Sequence, residues 1–209
     1  LALEVNNLHS ELIEYVAESD DSLLEKYFEK GNLSEEEMRG GIHQAIQNQV
    51  FIPMFCVSSE ANIGVARFCD FISKYGSSPD DRKTVSAINN KGENIKISLD
   101  GNNTVIQIFK TMSESHIGDL SLFRVYSGEV KTGDDLFNTN RNSSERMGQL
   151  FILNGKNRTQ VDCISAGDIG AVVKLKDTHT GNTLCSSDSV KLPKLKLPNS
   201  NIHSAISST

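Results

Sequence analysis

The 209-residue chain has no tryptophan, only four prolines, and 6% aromatic residues, so any core must be filled by Leu, Ile, Val and Phe. No apolar run approaches the roughly 20 residues that a bilayer-spanning helix needs, and no membrane partner is expected. The first 21 residues are acidic and amphipathic rather than basic and then apolar, which excludes a secretory leader within them. The four cysteines, Cys56, Cys69, Cys163 and Cys185, form no C-x-x-C pair. That excludes the usual zinc and dithiol spacings. Cys56 and Cys163 lie in apolar strand-like runs and read as small buried hydrophobes in a reducing cytosol. His9 and His43 fall on helical stretches, His116 and His179 in turns, and none has a Cys or carboxylate at ligand spacing. Neither a metal site nor a Ser-His-Asp arrangement is expected.

Basic charge is scarce in the first part. Residues 1–86 carry seven Lys and Arg against fifteen Asp and Glu, net −8, whereas the remainder carries fourteen against twelve, net +2. An acidic first part repels phosphates, so any nucleic-acid contact belongs to local basic clusters in the second.

Helical periodicity opens the chain. Leu8, Leu12, Ile13 and Val16, then Leu23, Leu24, Tyr27 and Phe28, predict one long helix or two with a break near Ser19-Asp20. Gly31-Asn32 stops it. Ser34 with Glu37 three residues on is a capping box and starts another helix, striped by Met38, Ile42, Ala45 and Ile46. Gly40-Gly41 inside this helix marks close packing or a weak turn, at a cost of about 1 kcal/mol per Gly. The continuous apolar run from Val50 to Val57 predicts a strand buried on both faces, with Pro53 placing it near an edge or a bulge. A helix carrying Phe68, Phe71, Ile72 and Tyr75 follows.

Gly76-Ser77-Ser78-Pro79-Asp80-Asp81 reads as a domain boundary. The stretch from Asp80 to Asn94 is polar and expected to be mobile. Asp100-Gly101 between alternating runs predicts a hairpin joining Ile95–Leu99 to Val105–Phe109. Beyond it come short apolar strands separated by Gly118-Asp119, Gly133-Asp134 and Gly167-Asp168, a rhythm that predicts a small closed β-barrel. Val105, Phe123, Val125, Leu150 and Val172 are expected to share its interior.

Three segments then carry a resemblance. Leu122-Phe123-Arg124-Val125-Tyr126-Ser127-Gly128, Ala166-Gly167-Asp168-Ile169, and Leu175-Lys176-Asp177-Thr178-His179-Thr180-Gly181-Asn182-Thr183-Leu184-Cys185 resemble the second domain of elongation factor G, the translational GTPase of ribosomal translocation. Asp20–Phe28 with Leu33–Glu37 is similar to the helical insert of that family's GTPase domain. Phe55–Val65 sits where its fifth guanine-nucleotide motif belongs. There Ser58 matches the family's Ser, while Ser59, Glu60 and Ala61 replace its Ala, Phe and Lys.

The resemblance implies an α+β multi-domain piece of a longer chain. Residues 1–79 would be the end of a GTPase domain with its helical insert and its terminal strand and helix. Residues 80–103 would be a linker with a hairpin strand, 104–192 the β-barrel, and 193–209 the start of a further domain. It implies a cytoplasmic protein that uses GTP and Mg²⁺ to promote translocation of tRNA and mRNA. The phosphate-binding loop, magnesium ligands and base-reading motif do not occur in these residues, so no GTP hydrolysis is expected of them alone. Gly148 and Gly155-Lys156 resemble a phosphate loop only superficially, because Asn157 stands where Ser or Thr would hold the metal. Ser58 and Ser59 are the expected guanine contacts, Ser59 through its backbone amide.

The implied partner is the ribosome: small-subunit rRNA through the barrel, and stalk proteins through the acidic helix face of Glu11, Glu14, Glu18, Asp20, Asp21, Glu25 and Glu29. No DNA partner is implied. Among the basic residues Arg124, Lys131, Arg141, Arg146, Lys156 and Arg158, the expected RNA contacts are Arg141 and Arg146 on one loop, and Lys156 with Arg158. Rival readings are a paralogue with impaired hydrolysis, a ribosome-protection or release factor, and a non-enzymatic ribosome- or RNA-binding module.

Overall fold

The computed structural model describes residues 2–114, 118–187, 190–198 and 205. It divides into two compact units, Leu1–Ser78 and Pro79–Thr209. Among the described residues the first unit is helical and the second is built from antiparallel strands, an α+β composition.

In the first unit, α1 (Ala2–Glu18) and α2 (Asp21–Lys30) are separate helices. Asp20 makes the break: its carboxylate accepts the Ser22 and Leu23 N–H groups at 2.9 and 3.2 Å, satisfying donors that a continuous helix would have used internally. Gly31 ends α2 in the left-handed region at φ 69°, where a Cβ is costly. The capping box forms as its spacing predicts and opens α3 (Glu35–Gln47): Ser34 Oγ accepts the Glu37 N–H, and Glu37 accepts the Ser34 N–H at 2.9 Å. α4 (Val65–Tyr75) completes the unit. Ile13, Val16, Ala17, Leu23, Leu33 and Ile42 form its core, with Phe71 and Tyr75 packed on it. Gly41 is a close-packing glycine, since a Cβ there would run into Val16 and come within 2.8 Å of Leu23, while Gly40 faces open space.

The strand expected at Val50–Val57 does not form. The segment is irregular, with Ile52 and Met54 84% and 92% exposed, and its nearest regular pairing is a single bridge between Ser58 and Ile63. An apolar run becomes a strand only when neighbouring strands accept its backbone groups, and no strand of the first unit is present among the described residues to do so. Cys56 is accordingly exposed, and Cys163 is only half-buried, against the reading of both as buried.

The second unit opens with a single 3-10 turn (Pro79–Asp81). The polar stretch expected to be mobile contains β1 (Thr84–Asn89), which pairs with β2 (Asn94–Ser98). The turn that joins them is Asn90–Glu93: the Asn89 side chain accepts the Lys91 and Glu93 N–H groups, both at 2.9 Å, and Gly92 takes φ 81°. Asp100-Gly101 is therefore not a hairpin turn. The Gly101 N–H closes onto Ser98 O at 3.2 Å, and a Cβ on Gly101 would lie 2.5 Å from Ser127 Oγ, so the chain passes along its neighbour instead of folding back.

The remaining strands are β3 (Val105–Glu114), β4 (Gly118–Ser127), β5 (Glu129–Lys131), β6 (Asp135–Asn138), β7 (Ser143–Arg146), β8 (Leu150–Asn154), β9 (Asn157–Val161), β10 (Cys163–Ser165), β11 (Ile169–Val173), β12 (Thr183–Cys185) and β13 (Val190–Lys191). They form an eight-stranded antiparallel ladder in the order β7-β6-β12-β3-β4-β11-β8-β9, a β10-β5 pair, and a β13-β1-β2 sheet. Ile106, Ile108, Phe123, Val125, Val130, Leu136, Met147, Leu150, Ile164, Val172 and Leu184 make one continuous core. Burying side chains of this size contributes about 1.5–3 kcal/mol each. Val105 is not among them. Strand alternation turns it away from Ile106 and Ile108, and it joins Ala87, Cys185, Val190 and Leu192 in a second cluster. His116 and most of residues 193–209, read as a turn and as the start of another domain, lie outside the described residues.

Candidate functional site

The second unit organises its surface around a buried polar network. Glu145, on β7, has its side chain turned inward and is 2% exposed. Its carboxylate accepts the Lys176 N–H at 3.0 Å, the Asp177 N–H at 2.7 Å and the Thr178 hydroxyl at 2.9 Å. Asn138, at the end of β6, is fully buried beside it. The Asn138 amide donates to Thr178 Oγ1 at 2.9 Å and Asn182 Oδ1 at 3.1 Å, and its carbonyl accepts the Asn140 and Arg141 N–H groups. Two buried polar side chains thus fasten the 176–182 loop to the β6–β7 hairpin, and every bond found here removes a desolvation cost.

Arg141 projects from the turn of that hairpin. Its Nε lies 3.5 Å from Asp177 Oδ1, and both side chains are roughly half exposed. His179 Nε2 lies 3.7 Å from the same oxygen. The Arg141–Arg146 stretch is not a loop, because Ser143–Arg146 is a strand and Arg146 pairs with Asp135 at the far end of the hairpin from Arg141. Arg146 is exposed. Lys156 is exposed in the β8–β9 turn, and Arg158 is half-buried on β9 opposite Leu153. The ladder places these two hairpins at its opposite ends. Gly155-Lys156 lies between two strands, not at a strand-to-helix turn, so it is not a phosphate loop.

Arg124 and Lys131 also have local partners. The Arg124 guanidinium sits 5.5 Å from the Tyr126 ring centroid. Lys131 Nζ lies 2.5 Å from Glu129 Oε1, which holds the Glu129 carboxyl below its ordinary range, helped by the Cys163 thiol donating to the other oxygen. Burial, and then that same hydrogen bond, push the Cys163 thiol up, which makes it a poor nucleophile.

In the first unit, Ser58 and Ser59 open a tight turn. The Ser58 and Ile63 backbones exchange hydrogen bonds at 3.0 and 2.9 Å, and Ser58 Oγ accepts the Ala61 N–H at 3.3 Å. The Ser58 hydroxyl oxygen is therefore occupied within the turn, while the Ser59 N–H has no partner among the described residues. Glu60 and Ala61 supply no cation beside it. Glu145 and Asn138 carry no functional signal in the sequence, because Ser143-Ser144-Glu145-Arg146 reads as a solvated stretch. No cluster of three His, Cys, Asp or Glu side chains able to hold a metal ion occurs among the described residues. No helix there is long and apolar enough to cross a membrane.

Known proteins resemble this chain along nearly its whole length. Residues 103–187, which contain the network and all four candidate basic residues, match elongation factor G domain 2. The chain is 35% identical over 208 residues to elongation factor G of Neorickettsia sennetsu, covering 99% of this chain and 30% of that protein. A crystal structure of a Thermus thermophilus protein superposes with a TM-score of 0.76 at 26% identity, covering 96% of this chain and 28% of that one. The chain spans about 30% of the length of its curated relative. The chain is thus elongation-factor-G-like, with residues 103–187 matching the domain 2 model of that family.

Proposed function

We propose that this chain is the part of an elongation-factor-G-like translational GTPase that joins the end of the GTPase domain, with its helical insert, to a ribosome-contacting domain 2. The single observation that carries the reading is similarity at 35% identity along 99% of the chain, through the helical unit as well as the barrel-type unit. In the whole cytoplasmic protein, GTP with Mg²⁺ would drive translocation of tRNA and mRNA. The phosphate and metal ligands would come from other residues, and the Ser58-Ser59 turn would offer the Ser59 amide to the guanine.

Domain 2 closes into a barrel in this reading. Support comes from the segment after β5: the Thr132 N–H donates to Asp162 O at 2.9 Å, just past β9, and Gly133 and Asp134 exchange bonds with Met147 at 2.6 and 2.7 Å, just past β7. One segment thus reaches both ends of the ladder. Closure would bring the hairpins of Arg141 with Arg146 and Lys156 with Arg158 onto neighbouring strands, forming a basic surface for small-subunit rRNA. The acidic helices of the first unit would face stalk proteins.

Replacing Arg141, Arg146, Lys156 and Arg158 by Gln is expected to weaken ribosome binding. The log-log salt dependence should fall by about 0.7–0.9 for each phosphate no longer neutralised. Binding unchanged across a salt titration, with the circular dichroism of the variant intact, would remove the interface. The Ser59-Glu60-Ala61 sequence favours a second reading, a paralogue with impaired hydrolysis, because the family's Lys is replaced and an acid stands beside it. Ribosome-stimulated GTP turnover by the whole protein separates the two.

A further inference from the structure

Asn154-Gly155 is the one Asn-Gly pair in the sequence. It forms the start of the two-residue turn between β8 and β9, where Asn154 opposes Asn157. Asn154, Gly155, Lys156 and Asn157 are all exposed. A Cβ placed on Gly155 would meet nothing within 4 Å, and the residue takes φ 58°. Among the described residues the Gly155 N–H donates to no group. β9 is the last strand of the ladder, and among the described residues no strand pairs with its far side at the turn. The Asp100-Gly101 pair differs on the decisive point, because its Gly101 N–H is engaged by Ser98 O at 3.2 Å.

We propose that Asn154 is a site of spontaneous deamidation in the folded protein. The Gly155 backbone nitrogen attacks the Asn154 side-chain carbonyl carbon, forming an N–Cγ bond. The bond from Cγ to Nδ2 breaks, and ammonia leaves with the amide proton, giving a five-membered succinimide. Water then opens the ring. Cleavage of the new N–Cγ bond gives aspartate, and cleavage at the main-chain carbonyl gives isoaspartate, whose backbone runs through the former side chain. The balance is asparagine plus water to aspartyl plus ammonia, with no redox change. The reaction needs an unhindered glycine with a free N–H, and this turn supplies it. Either product places a carboxylate two residues from Lys156. The isoaspartyl form also adds a methylene to a two-residue turn, whose length sets the β8–β9 register. The consequence for RNA binding rests on the interface proposed above; the modification itself does not.

Incubation of the native chain in mildly alkaline buffer, followed by trypsin and mass spectrometry, reads the reaction directly. Cleavage after Arg146 and Lys156 releases the peptide 147–156, which is expected to gain about one mass unit and split into two chromatographic products. The Asn154→Gln variant should lose both. Peptides holding Asn89-Asn90 and Asn102-Asn103 should lag at least several-fold. An unmodified 147–156 peptide would overturn the proposal. So would modification seen only in denaturant, or at equal rates in all three peptides. Failure of ribosome binding with normal deamidation would strike the interface alone.

Discussion

The Glu145 carboxylate accepts the backbone N–H of Asp177 at 2.7 Å across 32 positions of sequence. This bond, with those to Lys176 and Thr178, sets the 176–182 loop against the β6–β7 hairpin and aims the Asp177 side chain at Arg141. Replacing Glu145 by Ala strands two backbone donors and a hydroxyl in a buried site, and should cost about 3 kcal/mol. A urea melt gives the cost, and hydrogen exchange at Lys176 and Asp177 should accelerate together. Unchanged protection there would show that the loop holds without the carboxylate.

Asp177 offers a gain-of-binding test that rests on the proposed interface. Its side chain partly neutralises Arg141, whereas its backbone N–H makes the Glu145 bond. Asp177→Asn should leave stability nearly unchanged, since exposed pairs contribute about 0.2–1 kcal/mol. Ribosome affinity should rise a few-fold at low salt. Weaker binding would place Asp177 itself at the interface with RNA.

The two adjacent glycines of α3 should respond in opposite directions. Gly40 is exposed with open space at its Cβ position, so Gly40→Ala should stabilise by about 1 kcal/mol through helix propensity. Gly41→Ala presses a methyl onto Val16, whose β-branched side chain has little rotamer freedom, and should destabilise by about 1–2 kcal/mol net. Chemical denaturation followed by helical circular dichroism reads both signs, and a shared sign would refute the packing argument.

Acid should uncap α3 late. Hydrogen bonds from the Ser34 backbone and then its hydroxyl, with Lys26 nearby, lower the Glu37 carboxyl from 4.5 to about 2. A depressed folded-state value means that the stabilisation is complete above 4.5 and is lost as pH falls toward 2. Carbon-detected titration of Glu37 should show that low midpoint, and Ser34→Ala should raise it toward the ordinary range. A wild-type midpoint near 4.5 would contradict the capping box.

Much of the first unit is legible in the sequence because its signals are local. Asp20, Gly31, Ser34 and Glu37 act on backbone groups within four residues, so their spacing alone places the helix ends. Val50–Val57 misleads because a strand depends on a partner that spacing does not reveal. Asp100-Gly101 misleads for a related reason: turn chemistry allows a hairpin, but the fit of Gly101 against Ser127 chooses a different path. Of the candidate site, the basic residue types are visible in the sequence. Their placement on two hairpins at opposite ends of the ladder is not.

By itself the sequence determined the helix caps, the alternation of the strands, the family resemblance and the confinement of basic clusters to the second unit, since each is written in residue type at short spacing. Tertiary structure alone decided that Glu145 points inward, that Val105 leaves the main core, and that Arg141 meets Asp177. Those outcomes depend on which distant backbone groups come to lie opposite one another, and long-range register is fixed only when the whole ladder forms.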